Sequence, residues 1–270
     1  MSGALVTGAG RGLGFEIARV LARRGHTVHV TDLDGRAARA AAERIGGGAF
    51  ATALDVRDAD ACRAAARDTA KRGGSLDLWV NNAGVLFPGV PWEQEESVLR
   101  TSLEVNALGT MHGTLAALEL MRPAGAGHIV NVISLAGLVA APGETVYAAS
   151  KHAALAFSLG TLFDLRRRRE RGVDISCICP DGAWTPMLEE AVHDPDAAAS
   201  FTGRLLRPEE VAARVDRLLD RPRPVVSLPR HRGLQVRMYD LWPRLMLASI
   251  PVLMPLGRFQ QRRAARRLER

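Results

Sequence analysis

The chain has 270 residues, 47% hydrophobic and 24% charged, so it can bury a substantial core. Its formal charge is +7, but residues 258–270, "RFQQRRAARRLER", carry +5 of it and leave +2 for the rest. No basic patch with interleaved aromatics accompanies that tail, which argues against a nucleic-acid surface. The opening "MSGALVTGAG" lacks a basic region followed by an apolar stretch, so no signal peptide is expected. The three cysteines, Cys62, Cys177 and Cys179, have no framework spacing. They read as buried residues in a reducing cytoplasm, Cys177 and Cys179 sharing one strand face, and no metal site is expected.

Seven short apolar runs follow one another along the chain. They are "ALVTG" (4–8), "TVHVTD" (27–32), "GAFATALDV" (48–56), "LDLWVNNAG" (76–84), "GHIVNVIS" (127–134), "VDISCICP" (173–180) and "PVVSL" (224–228). Near-continuous apolar content predicts parallel strands covered on both faces. Segments such as "GFEIARVLARRG" and "GRAARAAAERIG" lie between them and predict helices closed by glycine. The alternation predicts an α/β fold with a doubly wound, seven-stranded parallel sheet and right-handed crossovers.

Gly8, Gly12 and Gly14 stand between the first strand and the first helix. Glycine permits a tight turn there and lets the backbone approach a pyrophosphate at the helix N-terminus. Asp32 closes the second strand, 18 residues after Gly14, where a carboxylate can bind ribose hydroxyls and repel a 2′-phosphate. That favours NAD. Arg11 pulls toward NADP, because a basic side chain in the glycine loop can meet that phosphate.

Tyr147 and Lys151 are four residues apart, one helical turn, on one face of a predicted helix. A nearby ammonium stabilises a phenolate and lowers the phenol's pKa toward neutral, which suits proton transfer.

With "TGAGRGLG" (7–14), "LDV" (54–56), "NNAG" (81–84), Asn106 in "LEVNALGT", Ser134 in "NVISLAG" and "YAASK" (147–151), the chain resembles the short-chain dehydrogenase/reductase family. The resemblance runs from about residue 3 to residue 230. It implies a Rossmann-type domain over 1–230, helices on both sheet faces, and a substrate lid near 183–205. It implies that Tyr147 exchanges the proton and Ser134 holds the substrate oxygen. Lys151 would hold the nicotinamide ribose, and Asn106 would fix a water linking Lys151 to solvent. The implied cofactor site comprises Gly8, Arg11, Gly12, Leu13, Gly14, Asp32, Leu33, Asp55, Val56, Asn82, Ala83, Gly84, Tyr147, Lys151, Pro180, Gly182, Ala183 and Thr185. Asp55 would meet the adenine amino group and Thr185 the carboxamide. One departure stands out. In "CPDGAWTPM", Asp181 occupies the family's usual glycine position, which puts a negative charge beside the cofactor loop.

"VLFPGVPW" (85–92), "LAGLVAAP" (135–142) and "AWTPMLEEAV" (183–192) are apolar and follow strand ends. They nominate Phe87, Ser134, Leu135, Leu138, Tyr147, Trp184, Met187 and Leu188 as the substrate wall. The expected reaction is hydride transfer between a nicotinamide cofactor and a hydrophobic secondary alcohol or ketone, such as a steroid, retinoid or lipid-like molecule. Two rivals stay open, an NADP-dependent ketone reductase and a non-catalytic nicotinamide-binding protein. The resemblance also implies a homodimer or homotetramer, and the cysteine usage a cytoplasmic location.

Residues 231–270 extend beyond that core. "LWPRLMLASIPVLMPLG" (241–257) has one charge and three prolines, too short and too broken to span a bilayer. With the arginine-rich end it reads either as an interfacial helix on the inner face of a membrane or as a helix covering the cleft or a subunit interface.

Overall fold

A computed structural model describes residues 2–268. In chain order the first half runs β1 (Ser2–Val6), α1 (Gly12–Arg23), β2 (His26–Asp32), α2 (Gly35–Ile45), β3 (Phe50–Ala53), α3 (Ala59–Gly73), β4 (Leu76–Asn81), α4 (Glu96–Leu103) and α5 (Gly109–Ala124). The second half runs β5 (Gly127–Val132), α6 (Thr145–Arg167), β6 (Val173–Pro180), α7 (Pro186–Glu190), α8 (Pro208–Asp220), β7 (Val225–Leu228), α9 (Arg230–Leu241) and α10 (Pro243–Leu268).

The strands form one parallel sheet in the order β3-β2-β1-β4-β5-β6-β7. The chain winds outward from β1 to β3, then returns to the other edge of β1 as β4. That reversal opens a crevice at the carboxyl ends of β1 and β4, where ligands of such sheets bind. The expected third strand, 48–56, shrinks to Phe50–Ala53, because this edge strand pairs only with β2 and the chain turns away once Leu54 N has donated to Asp32 O.

Alternation along the strands divides the core in two. Ala4, Val6, Val28, Val30 and Val130 face α1 and α8, meeting Ile17, Leu21, Val215 and Leu218. Leu5, Trp79, Ile129 and Ile175 face α3, α5 and α6, meeting Ala66, Ala117, Met121 and Leu162. Leu21 and Leu218 are both fully buried, each worth about 2 kcal/mol of apolar transfer. Cys177 and Cys179 share a face of β6 and pack with Ile133, Leu135 and Val236.

The last two helices return to the functional end of the sheet. Val236 of α9 packs against the turn after β5. Ala264 and Ala265 of α10 pack on Leu188, Val192, Ala197 and Phe201, which lie in the segment expected to be a lid.

Candidate active site

A cavity of about 490 Å³ lies across the carboxyl ends of the strands. Its first wall is the loop joining β1 to α1. Gly8 and Gly12 have φ of +60° and +59°, which side-chain-bearing residues rarely adopt. A Cβ on Gly14 would lie 2.3 Å from the Gly8 carbonyl oxygen and 2.5 Å from Asn82 Nδ2. Only bare backbone fits there, and it leaves a cradle at the N-terminus of α1 into which a pyrophosphate fits. Asn82 braces the cradle, its Nδ2 donating to the carbonyls of Thr7 and Gly8 at 3.0 and 2.9 Å.

Asp32, at the end of β2, is held beside this cradle. Its Oδ2 accepts from Gly10 N at 3.0 Å and its Oδ1 from Asp34 N at 3.1 Å. Arg11 is engaged elsewhere, pairing with Glu190 of α7 at 3.1 Å. Asp55 is also taken, by the Arg57 guanidinium, which holds its carboxyl below the usual carboxylate range.

At the other end stand Ser134, Tyr147 and Lys151. Ser134 lies two residues past the end of β5 and caps the short turn Leu135–Gly137, its Oγ accepting from Ala136 N at 3.1 Å. Tyr147 and Lys151 lie one turn apart on α6, with Lys151 Nζ 5.7 Å from the phenol ring centroid and donating to Val132 O at 3.2 Å. The four-residue spacing predicts an ammonium that pulls the phenol's pKa down. Instead, burial dominates both groups. The phenol is pushed above its ordinary value, first by burial and then by the charge of Glu144, while the Ser134 hydroxyl opposes this. Burial pushes the Lys151 ammonium down to about 8.

Every residue named above for the cofactor lines this cavity, from Gly8, Arg11, Gly12, Leu13 and Gly14 through Asp32, Leu33, Asp55 and Val56 to Asn82, Ala83 and Gly84, together with Pro180, Gly182, Ala183 and Thr185. Phe87, Ser134, Tyr147, Met187 and Leu188 line it as well. Three substrate residues do not. Leu135 and Leu138 turn into the core with Cys177, Cys179 and Val236, because the tight turn at 135–137 folds them under the sheet's end. Trp184 packs with Ala191, Phe201 and Leu205 beneath α10.

Asn106 does not line the cavity either. It is fully buried in a π-helical turn, Glu104–Leu108, a local irregularity often found at functional sites. Its Nδ2 donates to Val85 O and Ser150 Oγ, and its Oδ1 accepts from Val85 N. The side chain therefore ties the loop after β4 to α6, and its amide is already occupied by protein partners.

Two features escaped the sequence reading. Glu144 is buried directly ahead of α6, its Oε1 accepting from Ser200 N at 3.0 Å, and Ser200 lines the cavity. Burial raises its pKa to about 7. The only sequence signal was a carboxylate three residues before Tyr147. The second feature explains Asp181. Its Oδ2 accepts from Arg232 Nε at 2.8 Å, and the same guanidinium donates to Thr202 Oγ1 and Gln235 Oε1. The charge at the usual glycine position is thus neutralised from beyond residue 230.

The family model described as short chain dehydrogenase matches residues 2–196. L-fucose dehydrogenase of Bos taurus is 35% identical over 220 residues, covering 77% of this chain and 79% of that protein. Cyclopentanol dehydrogenase of a Comamonas strain is 34% identical over 219 residues, covering 78% of this chain and 86% of that protein. A crystal structure of a short chain dehydrogenase/reductase from Burkholderia phymatum in complex with NAD superposes with a TM-score of 0.80 at 26% identity, covering 90% of this chain and 94% of the other. Sequence, fold and the geometry of the crevice agree, and the chain belongs to the short-chain dehydrogenase/reductase family.

Proposed function

We propose that the protein oxidises a hydrophobic secondary alcohol to its ketone, or the reverse, with NAD. The observation that carries this reading is one cavity with a glycine cradle and Asp32 at one end and Ser134, Tyr147 and Lys151 at the other. The cradle's backbone N–H groups would hold the pyrophosphate, Asp32 the adenosine ribose hydroxyls, and Lys151 the nicotinamide ribose. A nicotinamide bound there would supply the hydride chemistry, as acceptor in oxidation and donor in reduction. Ser134 Oγ donates to the substrate oxygen, and Tyr147 Oη takes the alcohol's proton in oxidation or gives it in reduction. Lys151 Nζ, 5.7 Å from the phenol ring centroid, would offset part of the burial that disfavours the phenolate formed in that exchange.

The preference for NAD rests on Asp32, which faces the cradle while Arg11 is drawn to Glu190. The substrate class rests on the wall around Tyr147. Leu86, Phe87, Met187 and Leu188 supply apolar surface there, and none of the residues from Val85 to Phe87 or Thr185 to Leu188 is basic. That wall suits an apolar ring of the kind named by the cyclopentanol relative better than the polyhydroxylated sugar named by the L-fucose relative. A homo-oligomer is supported by Leu108 and Leu115 on or beside α5 and Phe163 on α6, large apolar side chains left open to solvent.

The test follows nicotinamide absorbance with NAD or NADP against cyclic and lipophilic secondary alcohols, their ketones and L-fucose. Turnover of the lipophilic alcohols with NAD is expected. Tyr147→Phe should lower kcat by about 10²–10⁴ with little change in KM. Undiminished turnover in that variant would remove Tyr147 from its role, and activity confined to L-fucose would overturn the substrate class.

A further inference from the structure

From Gly257 onward helix α10 has two faces of opposite character, whereas no residue from 243 to 256 is buried. On one, Gly257, Gln261, Ala264 and Ala265 are buried against the segment that lines the cavity. A Cβ on Gly257 would lie 2.2 Å from the Ala198 carbonyl oxygen, so the helix backbone rests directly on that segment. Gln261 Nε2 adds a hydrogen bond to Asp194 O at 2.5 Å.

The other face carries Leu245, Val252 and Phe259 at seven-residue intervals, close to two helical turns each, so all three point the same way. They are 43%, 69% and 59% exposed. Leu256 joins them, and Leu241 and Trp242 extend the apolar surface across the junction with α9. An apolar stripe of several large side chains left in water marks a surface that meets something. Residues 241–270 contain seven arginines and one glutamate.

We propose that this outer face of α10 docks on an anionic phospholipid bilayer, lying in the headgroup boundary with the arginines on the lipid phosphates. Charge selects this occupant. In a twofold pairing of two copies through this stripe, the arginine-rich end would meet either itself or the partner's apolar half, with almost no carboxylate on either to compensate. An anionic lipid surface supplies the missing charge, at about 1 kcal/mol for each basic residue brought close. The prolines fix the depth. Pro251 and Pro255 lack N–H groups, leaving the carbonyls of Leu247 and Pro251 without their helical donors. Water satisfies such carbonyls at the boundary but not in hydrocarbon. Among the described residues no helix is long and apolar enough to cross a membrane. The helix that meets the lipid is therefore the one that sits on the wall of the cavity.

The test is co-sedimentation of the full chain with vesicles of phosphatidylcholine alone or mixed with phosphatidylglycerol. Turnover is not read, so the outcome stands apart from the proposed reaction. Binding to the mixed vesicles, loss of that binding at high salt, and little binding to phosphatidylcholine are expected. Val252→Ser with Phe259→Ser should weaken binding at least tenfold, and so should Arg262→Glu with Arg263→Glu. All four side chains are at the surface, and circular dichroism checks that the variants fold. Should either pair fail to fold, the salt and lipid dependence of the native chain still decides. A native chain that stays in the supernatant with both vesicle types overturns the proposal. So does a lipid-free dimer that Val252→Ser dissociates.

Discussion

Arg232 reaches 51 residues back along the chain to place its Nε 2.8 Å from Asp181 Oδ2, and both side chains are nearly buried. The pair fastens α9 to the loop after β6. Through Thr202 it also fastens the segment that walls the cavity.

Removing one partner of such a pair leaves a buried charge alone. Arg232→Ala should therefore cost about 3 kcal/mol or more, read as a lower midpoint in thermal or urea unfolding. Adding Asp181→Gly, which restores the family's usual residue, should recover most of that loss. A double variant no more stable than Arg232→Ala would show that the pair is not what holds the loop.

Glu144 makes stability depend on pH in a definite direction. Its pKa is about 7 in the fold against an ordinary 4.5, because burial disfavours the carboxylate more than the Ser200 hydrogen bonds favour it. The folded chain thus binds this proton more tightly than the unfolded chain. The contribution is fully present below about pH 4.5 and is lost as pH rises through 7. Glu144→Gln keeps an acceptor for Ser200 N and never ionises. Relative to the native chain it should gain stability from pH 5 to pH 8, by roughly 3 kcal/mol at most. A stability difference that stays flat over that range would refute the assignment.

Asp32→Ser should weaken NAD binding about tenfold and improve NADP binding, measured by fluorescence titration with both cofactors. Arg11→Ala should change little, since Arg11 and Glu190 form an exposed pair with little net energy. If NADP binds the native chain more tightly, the reading of Asp32 fails.

Leu115→Glu with Phe163→Glu should shift the elution volume and light-scattering mass from an oligomer toward a monomer. Both residues are exposed, 47% and 61%, so the subunit fold should survive. A native chain that is monomeric at all concentrations removes the oligomer.

Much of this molecule was legible from local pattern. Apolar runs bounded by turns predicted seven strands in the right order, though the third is only Phe50–Ala53, because burial on both faces demands such runs wherever parallel strands form. The glycine positions followed from a backbone that side chains would block, and the Tyr147–Lys151 spacing from the pitch of a helix. Tertiary structure decided which way the side chains beyond the strand ends turn. It sent Leu135 and Leu138 into the core and packed the half-buried Trp184 against the cluster beneath α10, while Phe87, Met187 and Leu188 line the cavity. It also decided the electrostatics. Whether Asp181 is a liability depends on Arg232, and whether Tyr147 and Lys151 titrate high or low depends on how deeply they are buried. Periodicity records what a residue does relative to its own helix or strand, whereas desolvation and pairing depend on groups that arrive from far along the chain.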